Sequence, residues 1–258
     1  MEKFCLITGA SSGLGKDLSI LLAKENKNLL LVASNLQKLN KAKEEITKIN
    51  DKIKIEILAY DLSIKENLEK IYKYTKEKNY FINFVINSAG FGDRTDFVDM
   101  DIDFELKMNE VNINALTYFS NVYLDDMKKY REGNILNISS IAAFMAGPYM
   151  ATYHASKAYV LLLSEAIYYE LKKYNINVTC ICPGPFKSNF VNIAKNDFTF
   201  KKMKPISSEK AALISLKALK KKKPLKIIGF KNKLMIFALR LVPRKLVYSI
   251  SAHSLKKF

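Results

Sequence analysis

The chain is short of the side chains that build metal and disulfide sites. It has two histidines, His154 and His253, and three cysteines, Cys5, Cys180 and Cys182. Two distant histidines cannot assemble a metal cluster, and an odd cysteine count at this spacing suits neither a zinc site nor a disulfide framework. Each cysteine falls in an apolar run, so three buried, reduced thiols in a cytoplasmic protein are the expectation. Arginine is also sparse, at Arg94, Arg131, Arg240 and Arg244. The net charge of +17, from 42 Lys and Arg against 25 Asp and Glu, is therefore almost all lysine. A polyanion site would cluster arginine with aromatics. Lysine that travels with abundant Asn and Ile reads instead as general surface filler, and no nucleic-acid partner is expected. Long apolar runs are missing too. Leu234–Leu239, the longest near the C-terminus, is far too short to span a bilayer, and no signal peptide precedes the strand-like residues that start at Phe4.

What is present points to a globular domain. With 49% apolar residues disorder is not expected, and 258 residues are ample for a hydrophobic core. No repeat, low-complexity tract or linker divides residues 1–258, which read as a single domain. Apolar runs predict strands at Phe4–Thr8, Asn28–Ala33, Ile53–Leu58, Phe84–Ile86, Ile135–Ser139, Asn177–Ile181 and Leu225–Ile228. Helices are predicted to about Asn26, over Leu36–Asn50, after a capping box at Ser63–Glu66, and over Asp103–Met127, Ala151–Tyr174 and Ser208–Leu219. Strand alternating with helix implies the α/β class: a doubly wound, Rossmann-like parallel sheet with helices on both faces. Residues 186–222 form the candidate lid or substrate-loop region, because Phe186–Pro205 has weak periodicity and mixed polarity. Residues 230–258 read as two basic amphipathic helices broken at Pro243. They are expected to pack on the domain or a partner subunit, rather than as a peripheral membrane contact.

The chemistry-bearing residues fall where these strands end. Thr8–Gly15 (TGASSGLG) joins the first strand to a helix. Gly9, Gly13 and Gly15 permit a tight turn and a close ligand, Ser11 or Ser12 can cap the helix, and its positive end suits a pyrophosphate. The spacing is G-x-x-x-G-x-G rather than G-x-G-x-x-G, and the plainer reading is a turn with close helix packing. Asp61 ends the third strand, as a turn residue or an acceptor for an adenine amino group. Asn87–Gly90 (NSAG) offers small residues over which a ligand can lie. Asn112 or Asn114 sits in a predicted helix despite poor propensity, which suits either a functional residue or an exposed polar face. Ser140 precedes Tyr153 by thirteen residues. Tyr153 and Lys157, four apart on one helix, share a face. An ammonium there would pull the phenol below its usual value of about 10 and make it a general acid or base. Alone, such a pair is commonly a solvated helix face. Pro183–Pro185 closes the sixth strand. Ligands of wound sheets bind beyond the strands' carboxyl ends, and these motifs converge there.

Taken together these motifs make the chain resemble the short-chain dehydrogenases/reductases along essentially its whole length. The resemblance implies an NAD(P)-dependent oxidoreductase. It passes a hydride between the cofactor and a small carbonyl or secondary-alcohol substrate. Tyr153 would exchange the proton, Lys157 would lower its pKa and hold the nicotinamide ribose, and Ser140 would orient the substrate oxygen. Asn112, rather than Asn114, would hold a water linked to Lys157. Gly9, Ser11, Ser12, Gly13, Leu14 and Gly15 would line the pyrophosphate and ribose, and Asp61 and Leu62 would flank adenine. Asn87, Ala89 and Gly90 would back the cofactor, while Pro183, Phe186 and Ser188 would meet its nicotinamide end. Ala33 stands where an acid would repel a 2′-phosphate, and Ser34, Asn35 and Lys38 could hold one, which favours NADP(H) over NAD(H). Phe91, Phe144, Tyr149 and Phe190 suggest an apolar pocket. Val160–Leu163 is apolar almost all round, so a homodimer or homotetramer is expected. The substrate is not assigned by these motifs. Two other readings use the same residues: a cofactor-binding sensor or scaffold without turnover, and a basic protein that docks on RNA or an anionic membrane.

Overall fold

The strands sort their side chains by alternation. In β1 (Glu2–Thr8), Cys5 and Ile7 join one hydrophobic layer while Phe4 and Leu6 join the other. In β2 (Asn28–Ala33), Leu29 and Leu31 fall in the first layer, and Leu30 and Val32 in the second. Strands apolar on both faces must be covered on both faces, and a parallel sheet between two helical layers meets that demand. The computed structural model describes residues 1–186 and 205–255. Ser188, Phe190 and the rest of residues 187–204 of the candidate lid lie outside the described residues.

The remaining strands are β3 (Ile55–Ala59), β4 (Tyr80–Asn87), β5 (Gly133–Ile138), β6 (Ile176–Cys182) and β7 (Leu225–Ile227). They form a seven-stranded sheet in the order β3-β2-β1-β4-β5-β6-β7, parallel throughout. Chain order reverses between β1 and β4, which opens a crevice above their carboxyl ends. Helices α1 (Gly13–Lys24), α2 (Leu36–Thr47) and α8 (Ser208–Lys220) cover one face through Leu18, Leu22, Leu39, Ile46, Ala212 and Leu216. Helices α3 (Lys65–Glu77), α5 (Leu116–Asn121) and α6 (Leu124–Tyr130) cover the other through Leu68, Ile71, Phe119 and Met127. Helix α4 (Ile102–Asn109) precedes α5, and α7 (Ala151–Leu171) packs against β6. Two helices end the chain, α9 (Phe230–Leu239) and α10 (Arg244–Leu255). Among the described residues no helix is long and apolar enough to cross a membrane, and the three cysteines are buried and free.

Three local expectations are corrected. The single helix over Asp103–Met127 is instead α4, a π-helical turn at Glu110–Ala115, α5 and α6. The π turn sits where the Asn112 side chain bonds away from its own helix, as described below. The capping box at Ser63–Glu66 does not form. Helix α3 starts with Ile64 at its cap position, because the Ser63 amide and hydroxyl donate to Asp61 Oδ1 at 3.0 and 2.8 Å; a carboxylate outcompetes an ordinary cap acceptor. Ser12 occupies the cap position of α1, but its side chain makes no capping bond.

A polar seam crosses the apolar sheet. Asn137, on β5 and 0% exposed, accepts from Asn87 Nδ2 at 2.9 Å and donates to Ser164 Oγ of α7 at 3.0 Å. Asn87 Nδ2 also reaches Ser120 Oγ of α5 at 3.1 Å. The seam ties α5 and α7 to the strand ends, and although Asn87 Oδ1 is left without a partner among the described residues, removing a further partner from these buried amides would be costly. Asn137→Ala is expected to lower unfolding stability by about 2–4 kcal/mol in urea titration. A loss under about 1 kcal/mol would mean that packing alone holds these helices there.

Candidate active site

Beyond the carboxyl ends of the strands lie two joined clefts. The first, of about 380 Å3, runs from the glycine turn across β1 to the ends of β2 and β3. The second, of about 330 Å3, lies between β5, β6, α7 and the two C-terminal helices. Ser88, Gly90, Ile138 and Phe186 line both, so the clefts meet above β4 and β5.

The first cleft is built from backbone. Gly9 turns with φ of 67°, and a Cβ there would stand 2.9 Å from the Ala89 backbone, so only glycine fits both the dihedral and the contact. Helix α1 then begins with no side chain on its first amides, and its positive end faces the cleft beside Ser11, Ser12, Gly13, Leu14 and Gly15. At the far end stand Ala33, Ser34, Asn35 and Lys38, with no acid among them. Asn35 caps α2, its Oδ1 accepting from the Lys38 amide at 2.9 Å, and Lys38 lines the cleft beside it. Asp61 and Leu62 also line this cleft. The Asp61 Oδ2 accepts from Lys107 Nζ at 2.8 Å. Burial works to raise this carboxyl, but the hydrogen bonds from Lys107 and Ser63 outweigh it and hold it below the usual range. Lys107 comes from α4, far along the chain, and nothing local in the sequence marked it.

The second cleft carries the titratable groups. Ser140 follows β5 as the cap of a 3-10 turn at Ile141–Phe144, and its hydroxyl hydrogen-bonds the Tyr153 phenol from the first turn of α7. One turn on, Lys157 is buried, its Nζ donating to the Ile138 carbonyl at 3.1 Å and lying 5.8 Å from the Tyr153 ring centre. Tyr149, immediately before α7, holds φ of 66°, and its carbonyl accepts from the Thr95 amide at 2.9 Å. A bulky residue in left-handed backbone is strained, and this turn sets the angle at which Tyr153 enters the cleft. Burial pushes the phenol up to about 12, against the Ser140 hydrogen bond that pulls it down. Burial also lowers Lys157 to about 8. The sequence suggested the opposite sign for the phenol. Loss of water outweighs the Ser140 hydrogen bond that opposes it.

Asn112 is 1% exposed and clamps the backbone above β4. Its Nδ2 donates to the Phe91 carbonyl at 2.9 Å and to Ser156 Oγ at 3.1 Å, and its Oδ1 accepts from the Phe91 amide at 3.1 Å. A Cβ at Gly90 would lie 2.9 Å from this Oδ1 and 3.2 Å from Lys157 Nζ, so Asn112, Gly90 and Lys157 crowd one point. Asn114 instead donates to Glu110 Oε2 at 2.8 Å on the exposed side. Ala89 and Gly90 line the first cleft, and Pro183 and Phe186 the second. The Asn87 side chain does not line either cleft: it turns down into the polar seam with Asn137. Of the suggested apolar pocket, Phe91 lines the first cleft, and Phe144 and Tyr149 line neither. The apolar wall is built instead by Met145, Met150, Met235, Leu239, Val247 and Leu255. Four of these come from α9 and α10 or from positions that no motif marked. Among the described residues no cluster of His, Cys, Asp and Glu could hold a metal ion.

Comparison with known proteins places this geometry. A model of the family described as short chain dehydrogenase matches residues 3–197. An uncharacterized oxidoreductase of Staphylococcus aureus (strain USA300) is 29% identical over 215 residues, covering 83% of this chain and 91% of the relative. One from Staphylococcus saprophyticus is 31% identical over 183 residues, covering 71% of this chain and 78% of the relative. Among solved structures, a short-chain dehydrogenase from Sphingobium yanoikuyae in complex with NADPH superposes with a TM-score of 0.84 at 24% identity, over 95% of both chains. A 7beta-hydroxysteroid dehydrogenase superposes with a TM-score of 0.87 at 19% identity, over 97% of this chain and 96% of that one. At those identities the two structures speak for the fold.

The buried lysine has a measurable consequence. Unfolded, Lys157 keeps its proton up to its ordinary 10.5; folded, it keeps it only to about 8. Between those values the unfolded chain binds more protons, so stability rises with pH across that window, and the lysine's burial cost is fully present below it. Lys157→Met is expected to melt a few degrees above wild type at pH 7. That margin should shrink as pH is raised from about 8 to 10.5. A margin independent of pH in differential scanning calorimetry would show that Lys157 is not desolvated.

Proposed function

The chain belongs to the short-chain dehydrogenase family, and from that premise we propose that it reduces a small, largely apolar carbonyl compound with NADP(H), with Tyr153 as the proton donor. The observation that carries this reading is the Ser140 hydroxyl bonded to the Tyr153 phenol in the second cleft, with Lys157 one turn on. The residues fit a dinucleotide. The glycine turn and the bare start of α1 suit a pyrophosphate, Asp61 and Leu62 suit an adenine edge, and Ala89 and Gly90 leave room for a ring to lie against backbone. Ser34, Asn35 and Lys38 support a 2′-phosphate, since no carboxylate stands there to repel it. Lys157 would hold the nicotinamide ribose, Pro183 and Phe186 would meet that end, and Asn112 would support the polar link behind Lys157. Ser188 belongs to the same proposal by sequence.

The bound cofactor supplies or accepts a hydride. The chain's own groups do the rest. Ser140 orients the carbonyl oxygen, and Tyr153 Oη gives its proton to that oxygen as the carbon is reduced, leaving an alcohol. With the phenol raised to about 12, the protonated form dominates at neutral pH, as a proton donor requires. Oxidation needs the phenolate. The apolar wall of Met145, Met150, Leu239, Val247 and Leu255 supports a substrate with a hydrophobic body and one polar oxygen. Exposed Ile102, Leu106, Leu162 and Tyr169 on α4 and α7 support packing against a second copy.

Tyr153→Phe is expected to abolish NADPH-dependent carbonyl reduction while leaving NADPH affinity, read by fluorescence titration, within about twofold. Retained turnover would remove Tyr153 from the chemistry. In wild type, alcohol oxidation should climb between pH 7 and 9 far more steeply than carbonyl reduction changes, because only oxidation waits on the phenolate. Lys38→Glu is expected to weaken NADPH binding about tenfold and leave NADH unchanged; equal effects on both cofactors would place the 2′ end elsewhere.

A further inference from the structure

The last two helices carry an outward apolar face that, apart from Ile250, lines neither cleft. On α9 the large side chains left in water are Phe230 (81% exposed), Leu234 and Phe237, and Leu241 (74%) continues the row just past the helix. These positions advance by four, three and four residues, which on a helix is a single stripe. Lys231 flanks the stripe on one side, and Lys233 and Arg240 on the other. Helix α10 adds exposed Leu246 and Ile250 beside Arg244 and Lys245. From Gly229 to Leu255 the chain has no Asp or Glu. The positive field continues into the neighbouring groove, where Lys217, Lys221, Lys223 and Lys226 line one depression. Lys226 is held below its ordinary value, by burial first and then by Lys233 and Lys223.

We propose that α9 and α10 dock this protein on an anionic lipid bilayer surface. Phe230, Leu234, Phe237 and Leu241 would enter the headgroup boundary, with the flanking lysines and arginines on the phosphates. An apolar stripe bordered by cations on both sides is the pattern of an interfacial helix. The charge argues against the competing occupants. A second copy seated on this face would bring one acid-free basic surface against another, and a nucleic acid could stack bases on Phe230 and Phe237 but offers nothing to the aliphatic Leu234 and Leu241 between and beyond them. Placement agrees as well. The inner sides of these helices, at Met235, Leu239, Val247 and Leu255, wall the second cleft, and exposed Ile250 lines it too. The polar backbone of α10 is anchored to the site, with Arg94 Nε donating to the Leu255 carbonyl at 2.6 Å. On the catalytic reading above, docking here would set the apolar wall of the cleft beside the membrane and admit a lipid-soluble carbonyl compound.

The test is flotation of the full chain with vesicles of phosphatidylcholine alone or mixed with phosphatidylserine. The protein should rise with the mixed vesicles, remain behind with phosphatidylcholine, and be released by salt. Phe230→Asp with Leu234→Asp should cut the partition coefficient at least tenfold. Lys233→Glu with Arg240→Glu should cut it about fivefold or more per charge, without touching the apolar stripe or the clefts. Tyr153→Phe should float like wild type, so a failure of the catalytic reading and a failure of docking are read separately. Equal binding to both vesicle types, or charge variants that float like wild type, would overturn the proposal. So would a dimer seen by light scattering that Phe230→Asp with Leu234→Asp dissolves, or RNA binding lost in the charge variants.

Discussion

A lysine ammonium held out of water at the carboxyl edge of a parallel sheet constrains everything around it. Lys157 donates to the Ile138 carbonyl at the end of β5, and its Nζ would lie 3.2 Å from a Cβ at Gly90. Burial costs a cation heavily unless something later offsets it, so its neighbours are small, polar or backbone. Asn112 clamps the loop after β4 so that Gly90 stays close. The π turn in the long helix lets Asn112 reach, and the buried asparagine seam ties α7 to the strand ends. A polar residue that would weaken an ordinary helix is here the reason the helix departs from ideal geometry.

The two clefts divide the labour by their materials. The first is backbone, glycine and helix start, suited to phosphate and to flat rings because it offers amide donors without bulky side chains. The second is mostly side-chain hydrocarbon, with Ser140 and Tyr153 as its polar floor. They meet at Ser88, Gly90, Ile138 and Phe186, the continuity that the proposed transfer from a cofactor in the first cleft to a carbonyl in the second would require. The Asp61–Lys107 pair at the far rim ties α4 to the end of β3, so the proposed adenine end would be bounded by an ion pair rather than by a lone acid.

Much of this was readable in the linear chain. The unbroken apolar run Asn28–Ala33 located its strand to the residue, because strands buried on both faces must be written that way, whereas Phe84–Ile86 marked only the middle of β4, which spans Tyr80–Asn87. The glycine turn, Ser140, Tyr153 and Lys157 stood out because their chemistry requires particular residue types at short spacings. Less was readable where partners lie far apart in sequence. Asn87 looked like a ligand neighbour and is part of a seam with Asn137; Ser63 looked like a cap and serves Asp61. Lys107, Met235, Leu239, Val247 and Leu255 carried no local signal as site residues, since each acts through a contact that only folding creates.

By itself, then, the order of residues determined the alternation of strand and helix, the parallel sheet that alternation demands, and the tyrosine–lysine pair on one helical face, because hydrophobic period and short-range spacing are local properties. Tertiary structure alone decided which way the phenol's pKa moves, which asparagine clamps the Phe91 backbone, and what walls the second cleft. Desolvation, hydrogen-bond competition and pocket lining depend on groups brought together from distant positions, and no window of sequence contains them.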